Sequence, residues 1–114
     1  MLTSGDVIDL DLGQPAGQEA GFSHPALVVT AQRILDAEPN VVQIVPLTSS
    51  IRDFGSEVVV EAATTNGLDR DSSAQCQHIR AVSIGRVERV RGNVGSVVLA
   101  QIRGVIGLII DIPS

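Results

Sequence analysis

The run Val41–Leu47, VVQIVPL, with Thr48-Ser49-Ser50 directly behind it, decides the fold class. Its β-branched residues lose rotamer freedom in a helix and fit a pleated, half-buried surface, so it reads as a strand. Pro39-Asn40 punctuates the chain just before it. Pro46 has no N–H to give to a ladder, so this strand is expected at a sheet edge or to carry a bulge near its end.

Working outward from that run, short strands dominate. Val7–Leu12 (VIDLDL) alternates apolar and acidic residues at the period of a half-buried strand. Gly13–Pro25 is rich in glycine and poor in apolar residues, and a loop of that length without structure of its own is usually functional or disordered. Ala26–Thr30 is a strand that Pro25 opens, and Ala31–Ala37 is a brief helix. Glu57–Ala62 is a strand, Thr65-Asn66-Gly67 a turn, Ser73–Ser83 one extended segment, and Gly85–Val90 a short last strand. From Gly95 to Ile110 the period changes: Val98, Ile102, Val105 and Ile109 fall at helical spacing, with Ser96 as the N-cap. Gly104 and Gly107 cost that helix about 1 kcal/mol each relative to alanine, so it needs packing to form. The class is mainly β with a C-terminal helix (α+β). It reads as a small barrel of roughly five or six strands, with the helix laid across it, in one domain over residues 1–114.

Composition narrows the chemistry. Aromatics make up only 2% of the chain, so its core must be built from Val, Ile, Leu and Ala. Thirteen acidic residues against eight basic ones give a formal net charge of -5, and all eight basic residues are arginine. Such a chain is not steered to nucleic acid by its overall field, so a nucleic-acid role requires a local arginine cluster. Phe22 and Phe54 are too few to build a stacking surface, although each lies on a candidate loop. Cys76 stands alone, which excludes an internal disulfide and fits a reducing compartment. The first residues lack the basic flank of a signal peptide. The apolar stretch Gly104–Ile110 is far short of the roughly 20 residues that a spanning helix needs. A soluble cytoplasmic protein with no membrane contact is expected.

Several segments, taken in order, resemble the MazF/PemK family of toxin endoribonucleases. They are GDVIDLDLG (Gly5–Gly13), GQEAG (Gly17–Gly21), HPALVVT (His24–Thr30), VPLTSS (Val45–Ser50), DRDSSAQCQHIRAV (Asp69–Val82) and GRVERVRGNV before the last helix. They cover nearly the whole chain, and their joint pattern is more specific than any one piece. The resemblance implies an SH3-like barrel working as a homodimer, and the toxin of a type II toxin–antitoxin system. It implies metal-independent, sequence-specific cleavage of single-stranded RNA, without cofactor. In that chemistry the 2′-hydroxyl attacks the neighbouring phosphorus and leaves a 2′,3′-cyclic phosphate and a 5′-hydroxyl. The expected protein partner is a cognate antitoxin whose extended acidic tail blocks the RNA groove. This sequence departs from the pattern at two places: Ile8 stands where an aromatic residue is usual, and His24 where the family has its main catalytic arginine.

Cleavage of that kind needs a base for the 2′-hydroxyl proton, an acid for the leaving 5′-oxygen, and donors for the charged phosphorane. Arginine stabilises charge but carries protons poorly, whereas an imidazole near pKa 6.5 shuttles protons and binds phosphate less well. His24 is therefore expected to act as the proton carrier. The resemblance places Thr48 as a second catalytic residue and Ser49 beside it, both as hydroxyl donors to the phosphate. It also gives Glu19 as a contact to a base edge. Arg52 and Arg80 are the expected phosphate contacts, with Arg86 a weaker one, and His78 reads a base or assists proton transfer. Each has an ordinary counterpart: a polar turn for Thr48 and Ser49, surface ion pairs for the arginines, an exposed strand position for His78 and a buried apolar role for Cys76. Two other readings stay open on the same barrel. One is a non-catalytic binder of the gyrase-poison kind, using Ile109, Ile110 and Ile112 at the C-terminal end. The other is a degenerate member that only pairs with an antitoxin or another toxin chain.

Overall fold

A computed structural model describes residues 1–11 and 23–113 of the chain. In chain order the elements are β1 (Asp6–Asp11), β2 (Ser23–Val28), α1 (Gln32–Leu35), β3 (Val41–Thr48), β4 (Glu57–Val60), β5 (Ser72–Gln75), β6 (Arg80–Ser83), β7 (Val87–Asn93) and α2 (Gly95–Ile109). The strands join as one seven-stranded sheet in the order β4-β5-β3-β2-β1-β7, with β6 also paired to β3, and every pairing is antiparallel.

The strand that decides the class is central, not an edge. β2 lies along one side of β3, in register Ala26↔Pro46 to Val28↔Ile44. The other side is shared by two strands in succession: β6 covers Val41 to Ile44, and β5 covers Leu47 and Thr48. Val29 N–H donates to Gln43 O at 3.0 Å, so the odd-numbered residues of β3 bond to β2 and the even-numbered ones face outward. The nitrogen of Pro46 thus points into the gap where β6 hands over to β5. A proline is tolerated there because that gap asks for no donor.

The same handover explains the strand number. The extended segment read from Ser73 to Ser83 is broken by a 3₁₀ turn at Cys76–His78 into β5 and β6, which gives seven strands rather than five or six. Both pieces line one side of β3, and the chain steps between them around the buried Cys76. β2 also starts earlier than expected: His24 and Pro25 are inside it, opposite Leu10 and Asp9. The last strand runs on to Asn93.

The central strands are buried on both faces, since successive residues point opposite ways. Val7, Leu27, Val45 and Leu47 face Leu99 and Ile102 of α2, with Val98, Val105 and Ile106 packed alongside. Ile8, Leu10, Ala26, Val28, Val42 and Ile44 form the second layer, with Leu35 and Val82. This double burial is that of a small barrel with a helix across one side. Ser96 is not the N-cap of α2. That place is taken by Val94, and the side-chain oxygen of Asn93 accepts the Gly95 N–H at 2.8 Å. Ile109, at the far end, is exposed rather than packed.

One turn shapes the functional end. Asn66 Oδ1 accepts N–H bonds from Ala63 and Leu68 at 3.1 and 3.0 Å, closing the Thr65-Asn66-Gly67 turn. Gly67 has φ +69°, and a Cβ there would lie 2.5 Å from the Arg91 carbonyl oxygen. A Cβ on Gly92 would lie 2.4 Å from the Thr65 carbonyl oxygen. Two glycines thus let the turn press against β7, which brings Leu68, Asp69 and Arg70 beside Arg91.

Candidate functional site

The β2–β3 register, continued two residues past Ala26↔Pro46, sets His24 opposite Thr48 at the open end of both strands. There a groove of about 330 Å³ has an apolar floor of Pro25, Leu47 and Leu68. Its polar rim is His24, Thr48, Ser49, Asp69, Arg70, Ser72 and Arg91. His24 is half-buried, and burial lowers its pKa below the ordinary 6.5, opposed by a hydrogen bond with the Leu47 backbone. Its imidazole is neutral near pH 7 and able to take a proton. Thr48 Oγ1 accepts the Ser50 N–H at 3.1 Å, which orients the hydroxyl and leaves its own proton to donate.

Positive charge comes from β7 and the turn. Arg91 Nε donates to Asp9 Oδ1 at 2.9 Å, and its Nη1 reaches the Gly67 carbonyl at 3.4 Å. Arg89 Nε donates to the second oxygen of the same carboxylate. The Asp9 side chain is only 8% exposed, so one buried carboxylate is shared between two guanidiniums. Arg70 is exposed and makes no ion pair among the described residues. Sequence reasoning missed all of these. The alternation in VIDLDL marks a half-buried strand without singling out Asp9, and the alternation Arg89, Arg91 in β7 is the available signal that one strand face carries two cations.

Residues 3–110 match the family of PemK-like, MazF-like toxins of type II toxin–antitoxin systems. The chain belongs to this family. It is 33% identical to the endoribonuclease MazF9 of Mycobacterium tuberculosis over 118 residues, covering 100% of both chains. Its fold is similar to a chain of the MazE–MazF crystal structure (form II) from Deinococcus radiodurans: TM-score 0.80, 24% identity, 98% of this chain and 97% of that one. It is similar also to an endoribonuclease solved with its cognate antitoxin from a mycobacterial species: TM-score 0.78, 16% identity, 100% of this chain and 99% of that one.

In this PemK-like, MazF-like toxin the groove gathers His24, Thr48 and Ser49 of the expected site. Arg52, His78 and Arg80 do not line it. Arg52 Nη2 is bound to Glu57 Oε2 at 2.6 Å, and its guanidinium lies 4.5 Å from the centre of the Phe54 ring. Burial alone would push Glu57 up, but hydrogen bonds from Gln77, Arg52 and Ser73 outweigh it and hold the carboxyl below its ordinary pKa. His78 is exposed on the 3₁₀ turn, and Arg80 is exposed at the start of β6. Arg86 Nη1 donates to the Asp11 carbonyl at 3.1 Å. Glu19 and Phe22 lie outside the described residues. Burial pushes the Cys76 thiol up to about 11, so it is a packed thiol and not a nucleophile near neutral pH. Among the described residues no three His, Cys, Asp or Glu side chains converge as a metal group would, and no helix is long and apolar enough to cross a membrane.

Proposed function

We propose that this toxin is an endoribonuclease that cuts single-stranded RNA in the groove at the open ends of β2 and β3, without metal or cofactor. The observation that carries the reading is His24, held neutral by burial and set opposite Thr48 beside two arginines. The relative named as an endoribonuclease supports it at 33% identity over the full chain. Neutral His24 takes the 2′-hydroxyl proton, and the freed oxygen attacks the adjacent phosphorus. Thr48 and Ser49 donate to its non-bridging oxygens. The imidazolium so formed carries the proton that the departing 5′-oxygen needs. Cleavage leaves a 2′,3′-cyclic phosphate and a 5′-hydroxyl.

Glu19, Arg52, His78 and Arg80 are assigned to flanking nucleotides rather than to the reacting phosphate. The working form is a cytoplasmic homodimer of one domain spanning residues 1–114. Exposed Leu108, Ile110 and Ile112 at the end of α2 support self-association. The blocking partner is a cognate antitoxin with an acidic extended tail, whose carboxylates would compete with phosphate for the same arginines. A non-catalytic binder working through the end of α2 is the second reading, and those same exposed residues favour it.

The test is to incubate the purified chain with long single-stranded RNA in excess EDTA, beside His24→Ala, and to map the ends. Discrete cuts with 2′,3′-cyclic phosphate ends, lost in the variant, are expected. No cutting by folded protein would move the function to the binder reading.

A further inference from the structure

The groove is not the only depression that Arg91 lines. A second one, about 380 Å³, lies on its other side and is lined by Asp9, Ser23, Glu88, Arg89 and Arg91. Arg91 is therefore the shared wall between the site at His24 and a shallow polar channel running along β7. Its placement is specific. Val7 pairs with Gly92 and Ile8 with Val90, so Arg91 is the extra residue of a β-bulge, a device that re-aims a side chain.

From these features we infer that Arg70, Arg91 and Arg89 form a phosphate track that carries the RNA strand away from the cut site along β7. The inference rests on the proposed ribonuclease reading and adds the path of the strand. Charge stoichiometry is the first argument. Arg89 and Arg91 share the single carboxylate of Asp9 at hydrogen-bonding distance, and the other acids beside them, Asp69 and Glu88, are exposed to water. Asp69 lies 3.7 Å from Arg91 Nη1 but is 91% exposed, and an ion pair in that setting is screened by water. Geometry is the second. Both arginines are anchored through Nε, so Asp9 fixes their direction; Arg91 Nη1 reaches the Gly67 carbonyl, while Arg91 Nη2 and both outer nitrogens of Arg89 can meet a second acceptor. The third argument is need: a neutral His24 supplies no fixed charge to the phosphate, and these guanidiniums do. An acidic chain acquires its RNA affinity locally, by pinning two of its eight arginines on one anion.

The salt dependence of binding tests the track. The full chain is titrated with short mixed-sequence single-stranded DNA, which presents the same phosphates and lacks the 2′-hydroxyl needed for cleavage. Arg91→Gln and Arg89→Gln are each expected to lower affinity about tenfold at low salt. Each is also expected to reduce the slope of log K against log salt by about 0.7, the loss of one phosphate contact on a single strand. Arg91→Lys keeps most of the slope. Arg33→Gln, which removes the same charge from α1 beyond the opposite end of β2, leaves the slope unchanged. Arg89 is 65% exposed at its side chain, so its variant reports on binding even if Arg91→Gln destabilises the fold. The track is overturned if folded Arg89→Gln keeps the native slope, or if Arg33→Gln reduces it equally. A native chain that cuts RNA while these slopes stay equal loses the track alone. One that neither cuts RNA nor binds the strand loses the ribonuclease reading with it.

Discussion

Two buried carboxylates among the described residues are held by arginine, and they differ in stoichiometry. Glu57 receives Arg52 Nη2 and Gln77 Nε2 at 2.6 Å each on one oxygen, and the Ser73 hydroxyl at 3.0 Å on the other. That is one cation and two neutral donors around one anion, so the cluster is electrically closed and sits off the groove. Asp9 instead receives two guanidiniums, and one of them, Arg91, lines the groove. A neutral cluster of this kind ties β4, β5 and the 3₁₀ turn together. Two guanidiniums on one carboxylate keep donors to spare for a second anion. The contrast separates a fastening from a binding surface without reference to any relative.

The strongest way to break this contrast is to remove the groove's base. His24→Ala is expected to lower the cleavage rate by on the order of 10²–10⁴ while leaving the melting temperature close to native, checked by RNA cleavage beside circular dichroism. A variant that cuts at the native rate removes His24 from the mechanism. On the fastening side, Glu57→Ala is expected to cost about 1–3 kcal/mol in urea unfolding, because Ser73 and Gln77 lose their acceptor. The cleavage rate per folded molecule should not change. The Glu57 carboxyl lies below its ordinary 4.5 in the fold, so its contribution is complete above that pH and is lost as pH falls through the depressed value. Native protein should therefore lose more stability between neutral and acid pH than Glu57→Ala does.

Asp9→Asn sharpens the comparison from the other side. It unpins both arginines without removing their charge, so KM should rise about three- to tenfold with a smaller change in kcat. A change confined to kcat would contradict a binding role. The pH profile gives a smaller and more diagnostic effect. Neutral His24 is the active base, so kcat/KM should rise with pH through a midpoint below 6.5 and level off above it. The same depressed value makes stability complete above 6.5 and reduced as pH falls through the folded pKa. A flat profile from acid to neutral pH would exclude the imidazole as base. Least affected should be Arg52→Ala: its half-exposed ion pair is worth about 0.2–1 kcal/mol, and because it lies away from the reacting phosphate kcat should stay within twofold.

Much of the fold could be read in the sequence because its signals are local. VVQIVPL, EVVVEA and the helical spacing of Val98, Ile102 and Val105 each depend on near neighbours, and each forms the element expected. What could not be read depends on partners distant in sequence. Pro46 argued for an edge, since no local rule announces that two different strands will meet beside it. His24 looked like the end of a loop because Pro25 breaks ladders, yet β1 accepts both residues in register. In the site, His24, Thr48 and Ser49 followed from the resemblance and share the groove. Arg89 and Arg91 did not: their role rests on Asp9, 80 and 82 positions away in the chain. An ion pair of that separation has no sequence signature beyond the bare presence of both charges.

The missing amide of Pro46 has a mechanical consequence. Along its outer side β3 is fastened in two separate lengths, Val41 to Ile44 by β6 and Leu47 to Thr48 by β5, with Val45 and Pro46 unpaired on that side between them. A zip interrupted in this way can open one length while the other stays shut. Thr48 sits at the open end of the shorter length, at the mouth of the groove, so its hydrogen bonds to β5 are the less firmly held of the two sets. Proton exchange at the Thr48 amide should accordingly outpace exchange at Val42 and Ile44, and the boundary between fast and slow should fall at the proline.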